Sequence, residues 1–435
     1  MKLKINIPDA GKQKRVVIIG GGFAGLQLAK KLDNKQYQIV LIDKNNYHQF
    51  QPLMYQVATG GLEPGSISYP HRKIFHKKKN LYIRMCNARS VVPQRKVVVT
   101  NLGEIAYDYL VVATGCDTNF FGNDSLRETT FPLKSVSESI LMRNRLFLSF
   151  EEALSIQDEQ ELSDKLTFII VGGGATGVEL SGTLAEMRQS ILPKDYPGLN
   201  IDKVQIHLVD GSPRLLFGMS ENASRNAAKE LAKRGVIIHH EVFVTSYEDN
   251  IVKMSDGKEL RSANVFWVAG VTPNSLAGMD ESSYFRNRLQ VNEYNQVKGY
   301  EDIFAIGDTA LLISDKSPKG HPQVAQVALQ MAKRLAKNLN NKGKNKAFEK
   351  FEYVDKGSLA TIGKNAAVAD LGRFKFSGVV AWWLWLFVHI MTIIGMRNKV
   401  AVFIDWVWNY LNYGVSLRLF IRPKESKIYR EDIDG

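Results

Sequence analysis

Three glycines in the order G-x-G-x-x-G occur twice in this chain. They stand first at Gly20, Gly22 and Gly25 in "RVVIIGGGFAGLQLAKKL" and again at Gly172, Gly174 and Gly177 in "TFIIVGGGATGVELSG". Each run follows a continuous apolar stretch, the pattern of a parallel strand buried on both faces, and opens the start of a helix. At such a junction the first glycine permits the tight turn. The second lets a pyrophosphate approach the backbone, and the third lets helix and strand pack closely. The free N–H groups of the helix N-terminus then face the phosphates. An acid ends the next apolar stretch in both copies. Asp43 closes "QIVLID" eighteen residues beyond Gly25, near the spacing at which a carboxylate takes a ribose hydroxyl pair, and Lys44 follows it as a further cofactor-side candidate. Asp210 closes "VQIHLVD" after a longer gap, because "ILPKDYPGLN" is inserted before it. A carboxylate at Asp210 repels a 2′-phosphate and so favours NADH over NADPH. Arg214 argues the other way unless it is simply a surface arginine.

Two dinucleotide folds imply two dinucleotides. The economical pair is FAD and NAD(P)H, in which nicotinamide delivers hydride and flavin receives it. Glu179 sits one helical turn into the second copy, where the first carries Gln27. A carboxylate there interacts favourably with the helix dipole. The glutamine at the same offset shows that no charge is structurally required, which leaves room for a catalytic role. In "AQVALQ", Gln326 and Gln330 are spaced to share one helical face. They are either two amides turned to solvent or a pair that holds a polar ligand. His48 and Tyr55 are weaker candidates in the loop after Asp43. Cys86 and Cys116 lie thirty residues apart and form no CxxC pair, so they read as inert core thiols. No metal-ligand cluster is present in the sequence.

The totals set bounds on what carries these residues. A chain of 435 residues, 45% hydrophobic and 23% charged, suits two or three globular domains with a large core. The net charge of +13 comes from 57 basic and 44 acidic residues. It fits an anionic membrane face better than nucleic acid, because no recognition motif accompanies it. The N-terminal "MKLKINIPDAGKQKR" is too short and polar for a secretory signal, which makes the cytoplasmic side the expectation.

Further stretches carry a resemblance. Ala113-Thr114-Gly115 and Ala269-Gly270 each follow an apolar strand, and Asp308 stands in "DIFAIGDTA". Their order resembles the two-dinucleotide flavoprotein disulfide reductase superfamily over residues 14 to 340. Lacking a redox cysteine pair, the chain departs from the thiol-reducing and sulfide-oxidising branches. "NYHQFQPLMYQVATGGLEP", "GHPQVAQVALQMAKRLAKNL" and "GSLATIGKNAAVADL" resemble type II NADH:quinone oxidoreductases, single-chain respiratory dehydrogenases that pump no protons. The resemblance implies an α/β fold. An FAD domain spans 14–125 and 285–350, an NADH domain spanning 164–271 is inserted into it, and a membrane-anchoring or dimerising region covers 352–435. It implies that Asp308 meets the flavin ribityl or phosphate region and that the backbone at Ala325 and Gln326 meets the isoalloxazine. By the same resemblance the Gln326 and Gln330 amides hold a quinone carbonyl, Lys364 lies near the flavin and quinone channel, and Glu179 faces the nicotinamide–flavin contact. Glu179 is also a candidate proton source for the quinone. The rival reading is a soluble NAD(P)H-dependent reductase of a protein electron carrier. A flavoprotein that uses NADH only as a signal is a third.

"SGVVAWWLWLFVHIMTIIGM" holds three tryptophans, with Arg373 and Lys375 before it and Arg397 and Lys399 after it, which are interfacial features. As one helix from 378 to 395 it would be roughly 27 Å long, borderline for spanning. With the amphipathic "VAVFIDWVWNYLNYG" that follows, it reads as an in-plane anchor on the cytoplasmic face of the cell inner membrane, within reach of menaquinone or ubiquinone. The same region also offers a homodimer contact. "KNLNNKGKNKAFEKF" reads as a basic linker.

Overall fold

The computed structural model describes residues 5–315, 317–412 and 419–420. The first apolar run becomes the strand Lys14–Ile19. It pairs in parallel with Tyr37–Asp43 on one side and Tyr109–Val112 on the other. Leu81–Met85 and Ile303–Ala305 complete five parallel strands. Val16, Val17 and Ile18 are fully buried, as a strand covered on both faces requires. One cover is a pair of packed helices, Phe23–Lys31 and Ala325–Lys342.

The edge strand Ile303–Ala305 joins this sheet only after the chain has built a second one. That second sheet is also parallel and five-stranded, in the spatial order Phe131–Pro132, Asn264–Trp267, Thr167–Val171, Gln205–Asp210, Val236–His240. The two glycine runs therefore close equivalent central strands. The helix Val136–Ala153 packs beside the second sheet. Its start is fixed by a capping box in which Ser135 and Glu138 satisfy each other's backbone N–H.

A third unit follows. Ser358–Gly363, Ala366–Leu371 and Phe374–Ser377 form an antiparallel sheet, and its first strand lies against the helix Ala175–Ser190. The contact depends on Gly182, since a Cβ there would stand 1.9 Å from the Ile362 carbonyl oxygen. Two helices, Val379–Thr392 and Met396–Asn412, follow this sheet.

Two expectations change here. The apolar segment is not one helix from 378 to 395, because it stops at Thr392. Gly395 then turns the chain at φ +86°, tight against the Tyr69 ring. A 14-residue helix is about 21 Å long, short of a bilayer core. Among the described residues no helix is long and apolar enough to cross a membrane. The basic stretch at 337–351 is not a free linker. Its first part continues the helix to Lys342, Asn338 bonds the backbone of Glu349 both ways, and Phe351 is buried.

Candidate functional site

The two glycine turns are built alike. Gly20 and Gly172 have φ of +101° and +119°, and each backs directly onto the next strand's exit, at Ala113 and Ala269 respectively. A Cβ on Gly25 or Gly177 would lie 1.8 Å from the carbonyl oxygen of Gly20 or Gly172. By contrast, a Cβ on Gly22 or Gly174 would meet nothing within 4 Å. Those are the N-cap positions, and neither helix has a side-chain cap or an acid in its first turn. Each turn thus presents open backbone N–H groups to an anion. Asp43 accepts from Gly21 N at 2.5 Å and from Asn45 N at 2.6 Å. Asp210 accepts from Gly173 N and, at 2.7 Å, from Ser212 N. Both carboxylates are held at the lip of their turn, where a ribose would lie. Arg214 is neither a phosphate ligand in waiting nor a loose surface side chain. Its guanidinium donates to the carbonyls of Met219 and Phe217 and to the Ser224 hydroxyl. Most of its donors are thus engaged within residues 217–224.

Gly20, Gly22, Asp43, Lys44, Ala113, Thr114, Gly115, Asp308 and Ala325 line one cleft at the carboxyl edge of the first sheet. Thr114 and Asn274 clasp each other across it, at 2.7 Å and 3.0 Å. This links the two strand exits. Cys116 also lines this cleft, rather than the core, and donates to Asp308 at 2.9 Å. Burial and the Asp308 charge push its thiol up to about 12, and burial pushes Cys86 up to about 11, so both stay protonated at neutral pH. His48 is buried against the cleft with Nδ1 on the Gly21 carbonyl at 3.3 Å, while its Nε2 has no protein partner. Burial lowers it to about 4, so it is a neutral ring. Open amide turns, a lip carboxylate and an unpartnered imidazole nitrogen fit an FAD, whose chemistry is hydride acceptance followed by electron release.

Glu179 lies elsewhere in the same helix as the second turn, and the third unit surrounds it. Its Oε1 accepts from Thr361 N at 3.3 Å and from Trp385 Nε1 at 3.2 Å. Burial raises its carboxyl to about 8, against the pull of those two donors. Thr361 and Trp385 belong to the wall of a second cavity of about 470 Å³, shared with Tyr55, Glu186, Lys364, Trp382, Trp406 and Tyr410. That size suits a small organic ligand. Rings connect the two sites. Phe23, in the first cleft, is 5.9 Å from Phe50. Phe50 is 6.3 Å from His389, which stacks on Trp385 at 4.0 Å.

Gln326 and Gln330 do share a face, but that face looks onto the segment entering the third unit. Gln326 bonds Gly357 O and Lys356 N at 3.0 and 3.1 Å. Gln330 bonds Val354 O and N at 2.9 and 3.1 Å. Each amide thus clasps the segment 354–357 through one N–H and its oxygen, and each NH2 keeps a second N–H. Lys364 is at the second cavity, its Nζ on the Tyr410 carbonyl at 2.8 Å and 4.2 Å from that ring's centre. It ties the last helix to the third unit. Ala269 and Gly270 flank the second turn, Gly270 at φ +66° beside Phe121. Sequence reasoning missed Trp385, Thr361 and His71. Trp385 was visible only as one aromatic in an interfacial segment. His71, fully buried against Gly21, carried no signal.

Comparison with known proteins agrees with this geometry. Residues 14–332 match the family model of pyridine nucleotide-disulphide oxidoreductases. Residues 356–412 match that of the NDH2 C-terminal domain. The type II NADH:quinone oxidoreductase Ndh of Mycobacterium tuberculosis is 36% identical, over 92% of this chain and 89% of its own. The type II NADH:quinone oxidoreductase of Haemophilus influenzae is 32% identical, over 82% and 87%. The NDH2 of Plasmodium falciparum, solved in complex with NADH, superposes with a TM-score of 0.86 at 20% identity, covering 94% of this chain and all of that one. On the glycine turns, the third unit and these matches together, the chain belongs to the type II NADH:quinone oxidoreductases.

Proposed function

We propose that the chain oxidises NADH at the second glycine turn and passes the electrons, through FAD in the first cleft, to a quinone admitted by the tryptophan-lined cavity. The observation that carries this reading is the join between the two sites, the ring series from Phe23 to Trp385 with Glu179 bonded to the cavity wall. Within this reading each residue takes a task. Asp210 holds the NADH ribose and excludes a 2′-phosphate. The open amides after Gly22 and Gly174 hold the two pyrophosphates. Asp43, Thr114 and Asp308 orient FAD. Glu179, protonated at neutral pH, supplies a proton to the quinone. Lys364 fixes the cavity mouth by holding the last helix. The chain docks on the membrane in-plane. Trp383 and Phe387 are 59% and 63% exposed on one helix, Phe403 and Trp408 are 55% and 57% exposed on the next, and basic residues flank both. This apolar face disfavours a soluble reductase of a protein carrier. The side we assign is the cytoplasmic face of the inner membrane, where NADH is at hand, and the same apolar face is the one through which two copies would meet.

The test separates the half-reactions. In Glu179→Gln, bleaching of the flavin by NADH should proceed within about twofold of wild type, while reoxidation by a menaquinone analogue slows tenfold or more. Equal reoxidation rates would remove Glu179 from quinone chemistry. Flotation with anionic vesicles, lost in Phe387→Asp, tests the membrane face; a protein that never floats would return the carrier-reductase reading.

A further inference from the structure

Trp385 is 1% exposed, although it lies on a helix whose outer face is bare. On Val379–Thr392 the residues Val379, Trp383, Phe387 and Met391 recur every four positions and are all exposed. Ala381 and Trp385 recur with the same spacing on the opposite face and are buried. A helix of this pattern has one side for the membrane and one for the protein. On the protein side, Trp385 is held by three rings. His389 stacks on it at 4.0 Å, Trp406 lies at 5.5 Å and Tyr55 at 6.5 Å. Its indole N–H donates to Glu179 Oε1 at 3.2 Å. A buried indole N–H without a partner is costly, so this bond and the packing reinforce each other.

We propose that Trp385 is the positioning residue that orients the Glu179 carboxyl for quinone reduction, so that the helix that rests on the membrane also sets the geometry of the buried acid. The inference rests on the reading of Glu179 as proton supply. Tyr55, from the helix Met54–Ala58, interacts electrostatically with this acid; Glu186 with its partner Arg234, and Lys364 after the strand Ser358–Gly363, line the adjoining cavity, and His389 stacks on Trp385. Thr361 N is the other donor to Oε1 among the described residues.

The experiment is the pH profile of flavin reoxidation by a menaquinone analogue, measured on flavin-loaded protein in detergent. With a proton donor, the wild-type rate falls as pH rises past about 8, the value to which burial lifts Glu179. An N–H donor favours the ionised carboxylate, so Trp385→Phe should carry the falling limb about one pH unit higher. Trp385→Gln, which restores an N–H, should bring it back toward wild type. Trp267→Phe, whose indole N–H goes instead to the Asn119 carbonyl at 2.9 Å, should leave the midpoint in place. Bleaching by NADH serves as the folding control and should stay within about twofold in Trp385→Phe. Should that variant lose its flavin, the midpoint of Trp385→Gln decides alone, agreement with wild type supporting the donor role and a unit's rise overturning it. A wild-type profile with no falling limb would sink the proton-supply reading itself. A falling limb that coincides in wild type and Trp385→Phe would sink only the role of Trp385.

Discussion

The buried acid makes a thermodynamic prediction that needs no substrate. Burial lifts Glu179 from its ordinary 4.5 to about 8. Between those values the folded chain keeps a proton that the unfolded chain releases. Stability therefore falls as pH rises through that window, because the native state binds more protons, and it levels off above about 8. At about 1.4 kcal/mol per unit, the full shift corresponds to at most ~5 kcal/mol, of which about 3 kcal/mol is lost between pH 6 and pH 9. Glu179→Gln keeps the shape, accepts the same two donors and cannot ionise, so it lacks this slope. At about 2 cal/mol/K per residue, the entropy of unfolding makes that loss about a 3 °C fall in Tm for wild type relative to the variant across the same range. The assay is thermal unfolding of the flavin-loaded protein, followed by flavin release, at pH steps from 6 to 9. Two curves that stay parallel would show that the carboxyl is solvated or ionised throughout, and would refute the reasoning.

Other predictions separate the units of the molecule. Gly25→Val and Gly177→Val both drive a side chain into a carbonyl 1.8 Å from the Cβ position. The first should yield protein without flavin; the second should yield yellow protein that NADH bleaches at least tenfold more slowly, which absorbance spectra and stopped-flow would show. Gly182→Ala forces the third unit off its helix, because Ile362 O stands 1.9 Å from the new methyl. Reoxidation by quinone should fall further than bleaching by NADH, with about 1–3 kcal/mol of destabilisation in denaturant titrations. Asp210→Ser removes the carboxylate that opposes a 2′-phosphate, and steady-state kcat/KM ratios should show the preference for NADH over NADPH narrowing by tenfold or more.

What could be read from the sequence is what local periodicity encodes. Two glycine runs, each between an apolar strand and a helix, fix two parallel sheets with ligand sites at their carboxyl edges, and Asp43 and Asp210 fall where spacing puts them. Contacts between distant segments were less legible. Gln326 and Gln330 were rightly placed on one face, but which element that face meets depends on the return of residues 354–357. The bond from Trp385 to Glu179 links residues 206 apart, and no pattern within either helix announces it. The turn at Gly395 lies tight against the Tyr69 ring, far away in sequence. Arg214 looked like a surface charge because its acceptors are main-chain carbonyls, which a sequence does not display.

The central claim is that one chain joins an NADH site to a quinone site through its flavin. The most direct measurement is anaerobic. NADH is mixed with the detergent-solubilised, flavin-loaded protein, the flavin absorbance is followed, and a menaquinone analogue is then added. Rapid bleaching followed by full recovery, with one quinol formed per flavin reoxidised, is the predicted result. Bleaching that no quinone reverses would contradict the account and turn attention to a protein acceptor.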